Sequence, residues 1–183
     1  MATTDEQQLI DQAKEGNHHA FRLLMDRHIK QAYTLACRFV GDPDSAEDVT
    51  QEAFVKAHAG LASFRRDAEF STWLHRIVVN IALTRKRLDK NRTDRHVSIE
   101  SIQIAAATDD EFHKREQQAH VERALHELPT LQRAVVILRH LNGLSTKQVS
   151  SILQCSEGTV KTHLFRGLKK MRSKLEYLEE GIG

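Results

Sequence analysis

One cationic stretch of the chain carries side chains suited to holding unpaired nucleic acid bases. Residues 70–87 read FSTWLHRIVVNIALTRKR and include the single tryptophan of the sequence. With about 3.6 residues per helical turn, one face would combine an aromatic ring, an amide and several cations. This face comprises Trp73, Arg76, Asn80, Thr84 and Arg87. Aromatic stacking beside a positive groove binds single strands, because every base offers a π-face and every nucleotide a phosphate. A Trp73 that merely fills a core is the competing interpretation.

A second basic helix is predicted near the C-terminus, with chemistry suited to duplex DNA. Its apolar residues from Val160 to Leu178 form one narrow stripe at helical spacing. The other positions of its first turns can pair with base edges or contact a thymine methyl group in the major groove. These candidate base-reading residues are Thr159, Lys161, Thr162, Phe165, Arg166 and Lys169. An ordinary basic surface helix would explain the charge, but not a phenylalanine outside the apolar stripe.

The residues before this helix predict a helix-turn-helix. The sequence from Ser145 to Gln148 fits a capping box, in which the hydroxyl and amide side chains bind the first free backbone N–H groups. A short helix would follow, Gln154 and Cys155 would form the turn, and Ser156 would cap the next helix. Two helices joined by so short a turn, the second one basic, are typical of a DNA-binding helix-turn-helix.

The first third of the chain predicts an acidic helical surface. Apolar residues recur every three or four positions between Leu9 and Phe39, which indicates an amphipathic helix ending near Gly41. Asp42 and Pro43 then fit an N-cap and a first helical position, and the next helix should run to about His58. Its non-core face carries Asp44, Glu47, Asp48, Gln51 and Glu52. Such segregation of charge indicates one surface for a basic partner and others for a polyanion.

Composition and patterning predict an all-α protein of two small helical domains. Aromatic residues make up 5% of the chain and prolines number 2, which favours long helices over a turn-rich sheet. We predict domains at 1–90 and 112–183, joined by a flexible linker at 91–111 whose periodicity is weak. The acidic N-terminus lacks a signal-peptide core and no long apolar run occurs, so we expect a cytoplasmic protein. The two cysteines have no CxxC partner, which excludes a disulfide framework and a zinc-finger spacing.

Three segments in this order resemble a known family. They read DPDSAEDVTQEAFVKAH, SFRRDAEFSTWLHRIVVNIALTRKR and ELPTLQRAVVILRHLNGLSTKQVSSILQCSEGTVKTHLFRGLKKMR. Together they resemble the bacterial extracytoplasmic-function (ECF) sigma factors of the sigma-70 family, and the likeness extends roughly from Leu9 to Leu178. The order of the segments makes this resemblance more specific than a helix-turn-helix alone.

The resemblance implies a role for each of the surfaces. The acidic face at 44–52 would bind the clamp coiled coil of the largest subunit of core RNA polymerase, and the C-terminal domain would dock on the polymerase flap. The loop from Ala62 to Glu69, centred on Phe64 and Arg65, would capture a base flipped from the minus-ten element, and the Trp73 face would hold the melted strand. The C-terminal domain would read the minus-thirty-five element. An anti-sigma factor would control the protein, and the polymerase would supply all catalysis, without any cofactor or metal in this chain.

The sequence also departs from the family pattern. His163 stands where many relatives carry arginine, and Lys161 with Thr162 replaces an Arg-Ser pair. These differences concern the preferred base sequence rather than the role of the helix.

Two other classes of function remain open at this level. A stand-alone helix-turn-helix regulator of duplex DNA would explain residues 130–175, but it leaves the acidic face and the Trp73 face without a purpose. A metal-dependent hydrolase would need ligands such as His113, Glu116 and His120, whose spacing is not that of an HExxH motif and which lack an assignable third ligand.

Overall fold

The computed structural model describes residues 2–90 and 109–180, and within them the side chains of residues 5–86, 117 and 119–176. The regular elements in these ranges are all helices, which confirms the predicted all-α class. The chain divides into two compact units, with the division between Val97 and Ser98. Residues 91–108, which form most of the predicted linker, lie outside the described residues.

Within the described residues, the first unit contains four α-helices and one short 3-10 helix. These are α1 (Ala2–Lys14), α2 (His18–Val40), α3 (Pro43–Gly60), the 3-10 helix Leu61–Ser63, and α4 (Phe70–Lys90). Asp42 caps α3 as predicted, because its side chain accepts a hydrogen bond from the Ser45 N–H at 2.8 Å and Pro43 occupies the first turn. Gly41 ends α2 with a left-handed φ of 92°.

The predicted helical run between Leu9 and Phe39 is interrupted, which corrects the sequence-based expectation. Gly16 adopts a φ of 92°, and the Asn17 side chain then accepts hydrogen bonds from the N–H groups of His19 and Ala20. This left-handed glycine followed by an N-cap separates α1 from α2. The periodicity continues across the break, so that the pattern alone suggested one helix.

Helix α2 packs against α1, α3 and α4 to form the core of the first unit. The predicted core face of α4 is largely confirmed, since Leu74, Val78 and Ile81 are buried and Ile77 is half-buried. Helix α3 contributes its small residues to the same core, including Ala46, Ala53 and Ala57. The acidic side of α3 and the polar side of α4 therefore remain available at the surface.

The second unit contains the predicted helix-turn-helix. Its helices are α5 (Asp109–His126), α6 (Thr130–Val136) extended by a π-helical turn (Ile137–Leu141), α7 (Thr146–Leu153) and α8 (Glu157–Glu180). The capping box is confirmed, because the Gln148 N–H donates to Ser145 Oγ at 3.2 Å and the Ser145 N–H donates to Gln148 Oε1 at 2.8 Å. Gln154 ends α7 in the left-handed region with φ 52°. Ser156 Oγ accepts from the Thr159 N–H at 3.1 Å.

Helices α6 and α8 approach closely at a glycine. A Cβ atom on Gly167 would lie 2.7 Å from Cγ2 of Val136, which is too short for any side chain to fit without movement. The close approach holds the basic helix against the core of this unit, with Val160 and Met171 of α8 buried. None of the helices within the described part of the chain is apolar and long enough to cross a membrane.

Candidate nucleic acid and polymerase interfaces

The polar face of α4 is present at the surface of the first unit. Arg76 is half-buried, whereas Asn80 and Thr84 are exposed. The Thr84 hydroxyl donates to the backbone oxygen of Asn80 at 2.8 Å. The side chain of Arg87, the last predicted residue of this face, lies outside the described residues.

Trp73 belongs to an aromatic cluster that covers only part of the residue. Its ring centroid lies 5.1 Å from that of Phe64 and 5.4 Å from that of Phe70, so one side of the indole belongs to an aromatic cluster. The residue is nevertheless only half-buried. A partly exposed aromatic ring on the same helix face as Arg76 and Asn80 would suit a stacked base.

Phe64 lies in the loop before α4, with its side chain turned toward the aromatic cluster. Its side chain is only 5% exposed and contacts Phe70 edge to face, with 5.7 Å between ring centroids. Burial in this cluster removes the apolar ring of Phe64 from water, so that any contact of the predicted base-capturing loop with DNA would come from its exposed residues. The side chains of Ala62 and Arg65 are exposed and define the outer surface of the loop.

Helix α1 contacts this loop through residues that the sequence did not single out. Lys14 Nζ donates to the backbone oxygen of Phe64 at 2.5 Å, and Arg66 forms an ion pair with Asp11. With Ala62, Ser63 and Arg65, these residues line a surface groove of about 610 Å³. The partners are 50 or more residues apart in the chain, and no local pattern in the sequence indicates such contacts.

Most of the acidic face of α3 is exposed, whereas Glu52 is half-buried. Asp48 pairs with Arg85 of α4 at 3.0 Å, and Arg85 also donates to the Ser45 backbone oxygen at 3.3 Å. Glu52 pairs with Lys56 at 2.8 Å, and Glu47 accepts a hydrogen bond from Gln51 at 3.1 Å. Arg85 therefore ties α4 to α3. Asp44 is exposed at the start of the helix.

An exposed valine extends this acidic face. Val55 has 70% of its surface exposed and follows Gln51 by one helical turn. Sequence analysis missed it, although its position off the stripe formed by Ala46, Val49 and Ala53 could have indicated exposure. An apolar side chain with an acidic rim fits a protein partner that brings an apolar contact and basic side chains.

The candidate base-reading residues of α8 lie together on its outer side. Lys161, Thr162, Phe165, Arg166 and Lys169 are exposed, and Phe165 has 70% of its surface accessible. Since a large apolar side chain gains nothing from water, its exposure beside cations favours a contact such as a thymine methyl group.

Two threonines of α8 use their hydroxyl groups within the helix. Thr159 is half-buried and its hydroxyl lies 2.9 Å from that of Ser156, while the Thr162 hydroxyl donates to the Gly158 oxygen at 2.9 Å. The Thr162 methyl group and the remaining lone pairs are still available to DNA. Thr159 contributes first to the cap of the helix.

A buried arginine lies behind the basic helix. Arg133 of α6 is 1% exposed, and its Nη1 lies 3.1 Å from Nδ1 of His126. Burial lowers the pKa of Arg133 to about 10, which still leaves the guanidinium charged near neutral pH. The second unit therefore has a positive charge in its interior as well as on α8, and both charges favour a polyanionic ligand.

The described residues do not bring together three or more histidine, cysteine or acidic side chains in a position to hold a metal ion. His120 of the sequence-based metal candidates lies within these residues, and its Nδ1 is 3.0 Å from Arg123 Nη2. The side chains of His113 and Glu116 lie outside the described set.

Comparison with known proteins gives matches to both units. The family model for sigma-70 region 2 matches residues 24–92, and that for sigma-70 region 4 matches residues 119–171. The RNA polymerase sigma-H factor of Pseudomonas aeruginosa is 34% identical, over 94% of this chain and 95% of the relative. The ECF RNA polymerase sigma-E factor of Escherichia coli is 32% identical over the same shares.

A solved structure extends the likeness to three dimensions. The sigma factor RpoE of Bartonella quintana, crystallised with the anti-sigma factor NepR, has a TM-score of 0.66 and 26% sequence identity. The match covers 85% of this chain and 96% of that one. The likeness therefore extends over both units of the chain.

Proposed function

Because this chain belongs to the extracytoplasmic-function sigma factors of the sigma-70 family, we propose that it directs core RNA polymerase to promoters through separate minus-ten and minus-thirty-five surfaces. The protein is an alternative RNA polymerase sigma factor, and such a factor is a transcription initiation factor. Its contribution is selective binding that favours strand opening, whereas the polymerase forms the phosphodiester bonds. The stand-alone regulator explains the second unit alone, and the region 2 match at 24–92 argues against it.

The observation that carries the proposal is the surface of α4. It places the half-buried ring of Trp73 beside Arg76 and the exposed Asn80, on a helix whose opposite face is core. Extrusion of a base costs a few kcal/mol of lost stacking and pairing, which contacts with a protein pocket and platform offset. Aromatic stacking contributes about 1–3 kcal/mol per base, so a single platform matters for the balance. Arg65, in the exposed loop before α4, adds a cation for the strand phosphates.

The second unit would fix the position of the factor on the duplex. Arg166 can pair bidentately with guanine, and Lys161 with Lys169 would contact base edges or phosphates along the major groove. The exposed ring of Phe165 and the Thr162 methyl group would contact thymine. The cations give affinity for any sequence, and the paired contacts give the preference for one of them.

The acidic face of α3, with Val55 at its side, would contact the clamp coiled coil of the largest polymerase subunit, while the second unit would dock on the flap. We also propose control by an anti-sigma factor, as in the complex of the Bartonella relative with its own anti-sigma factor. A protein with these partners would act in the bacterial cytoplasm.

The melting step can be tested with reconstituted holoenzyme on a promoter from the host genome. Asn80→Ala should reduce open complexes, read from permanganate reactivity of unpaired thymines, by about tenfold, because one side chain contact to the unpaired strand is lost. Initial association with the promoter should change little, since α8 and α3 are intact. Gln31→Ala, an exposed amide on α2, is the matched control. Equal losses in association and melting would refute the assignment of α4.

A further inference from the structure

Helix α1 holds the loop that precedes α4. Two contacts join them, the hydrogen bond from Lys14 to the Phe64 carbonyl and the ion pair between Asp11 and Arg66. The first contact involves the backbone of Phe64 and the second the side chain of Arg66, two residues further along the loop. Contacts with a neighbouring helix therefore help to set the shape of this connecting segment.

Lys14 fixes Phe64 in two ways. Its ammonium donates to the Phe64 carbonyl at 2.5 Å and lies 5.7 Å from the centroid of the Phe64 ring. A cation over an aromatic face and a charge-assisted hydrogen bond to the same residue set both its backbone and its ring. Since the Phe64 ring also contacts Trp73, the position of Lys14 influences the position of Trp73 on the polar face of α4.

Arg66 shows why the loop needs such support. Its φ of 63° lies in the left-handed region, which is unfavourable for any residue other than glycine. A residue remains in such a conformation only where the surrounding structure holds it there. The ion pair to Asp11 supplies that hold, and the resulting turn leaves Arg65 exposed between two fixed neighbours.

The other end of α1 is attached to α2 independently of the loop. Asp5 pairs with Arg27, and Glu6 lies 3.5 Å from the buried His28. Leu9 and Ile10 are buried between these two sets of contacts. Helix α1 is therefore anchored on one side of the unit and reaches the loop with its last turn.

We infer that α1 acts as a strap for the loop, in which Lys14 and Asp11 are positioning residues that set the selectivity of base capture. The inference rests on the proposed function only in naming a flipped base as the ligand of the loop. The ligand contacts remain those of Arg65 and the α4 face. Lys14 and Asp11 act through the loop geometry, which determines where those contacts can form.

Hydrogen exchange in the free full-length protein tests the strap without polymerase. Lys14→Met should speed amide exchange in residues 64–66 by about tenfold relative to the parent, because a charge-assisted hydrogen bond is lost. Amides of α4 should be unaffected. Lys30→Met, an exposed lysine on α2, has the same charge change and is the control. Lys14→Arg, which keeps the cation, should restore slow exchange, and Asp11→Asn should reproduce the effect at Arg66. Unchanged amide exchange in residues 64–66 of both Lys14→Met and Asp11→Asn would contradict the inference that α1 holds the loop.

Base selectivity of the holoenzyme tests the consequence. On a promoter series in which each minus-ten base is changed in turn, Lys14→Met should lower the ratio of best to worst base by about tenfold. Lys14→Arg should retain the ratio, and association through the minus-thirty-five element should be unchanged in both. If the parent protein shows no base preference, the proposed function is contradicted. The hydrogen-exchange experiment would still test whether α1 holds the loop. If the parent prefers certain minus-ten bases and Lys14→Met shows the same preference, the result would contradict the role of α1 in selectivity and leave the proposed function intact.

Discussion

Two histidines, His28 and His75, are buried in the first unit. His28 and His75 are each 8% exposed, and the ring centroids of His28 and Phe70 lie 5.2 Å apart. Burial lowers the pKa of both histidines. Arg27 lowers the pKa of His28 further while Glu6 opposes the change, and His28 itself adds to the lowering at His75. Each imidazole therefore stays neutral to a lower pH in the folded state than in the unfolded chain.

The first unit should lose stability as the pH falls below about 6.5, the ordinary histidine value. The folded state binds fewer protons there than the unfolded chain, so the free energy of unfolding decreases with decreasing pH. Urea titrations between pH 5.5 and 7.5, followed by Trp73 fluorescence, would measure this unit, since the sequence has one tryptophan. The His28→Gln, His75→Gln double variant should show a shallower slope, and the exposed His19→Gln should match the parent. An unchanged slope in the double variant would contradict the assignment.

Among the elements, the pair α6 and α8 depends most on a single small residue. Gly167 is placed where α8 crosses Val136 of α6, and the backbone oxygen of Gln132 lies 3.5 Å from the position of a Cβ atom at Gly167. The helix that carries the candidate base-reading residues lies so close to α6 that any side chain at Gly167 would push the two helices apart. The orientation of the recognition surface is therefore set by packing behind it.

Gly167→Ala should destabilise the second unit by about 1–3 kcal/mol, because the added methyl group overpacks the contact with Val136. Gly158→Ala, earlier in the same helix, meets only the Ser156 hydroxyl at 3.7 Å and should be neutral or stabilising by up to about 1 kcal/mol. Urea unfolding followed by circular dichroism would measure both. Adding Val136→Ala to Gly167→Ala should recover part of the loss. Similar stabilities for the two glycine variants would show that the close approach does not matter.

At the level of the whole molecule, the proposed function requires a DNA surface and a polymerase-docking surface on each unit of a chain that folds as two units. Each unit has its own core, one around α2 and the other around α6 and α8. The chain residues between the units, 91–108, do not belong to the described structure. In the proposed function, the polymerase sets the spacing of the two promoter elements by binding both units.

Replacing Asp44 and Glu47 with lysine should reduce the affinity for core polymerase on the order of a hundredfold, since each reversal places like charges against a basic partner. Asp48 and Glu52 are spared because their ion pairs with Arg85 and Lys56 would also be lost. The matched control reverses Glu15 and Asp26, two exposed acids off this face. Binding would be measured by fluorescence anisotropy at low and high salt, with circular dichroism to confirm helicity. Equal affinities for the two double variants would rule out α3 as the docking surface.

Local sequence chemistry determined much of this protein. The capping residues Asp42 and Ser145, the apolar stripes of α4 and α8, and the turn at Gln154 act within a few residues of one another. Interactions between residues so close in the chain can be recognised from the spacing of residue types, so the helix-turn-helix and the all-α class could be predicted. The order of three motifs then pointed to the family.

The tertiary structure alone decided which of the candidate side chains reach the surface and what holds them. Burial of Phe64, the use of Arg85 to join α4 to α3, and the contacts of Lys14 with the loop all link residues far apart in the chain. Helical periodicity describes one element at a time, and it assigns an apolar ring or a cation to a face without naming its neighbour. Those neighbours come from the packing of α1, α3 and α4 around α2, which minimises exposed apolar surface over the whole unit.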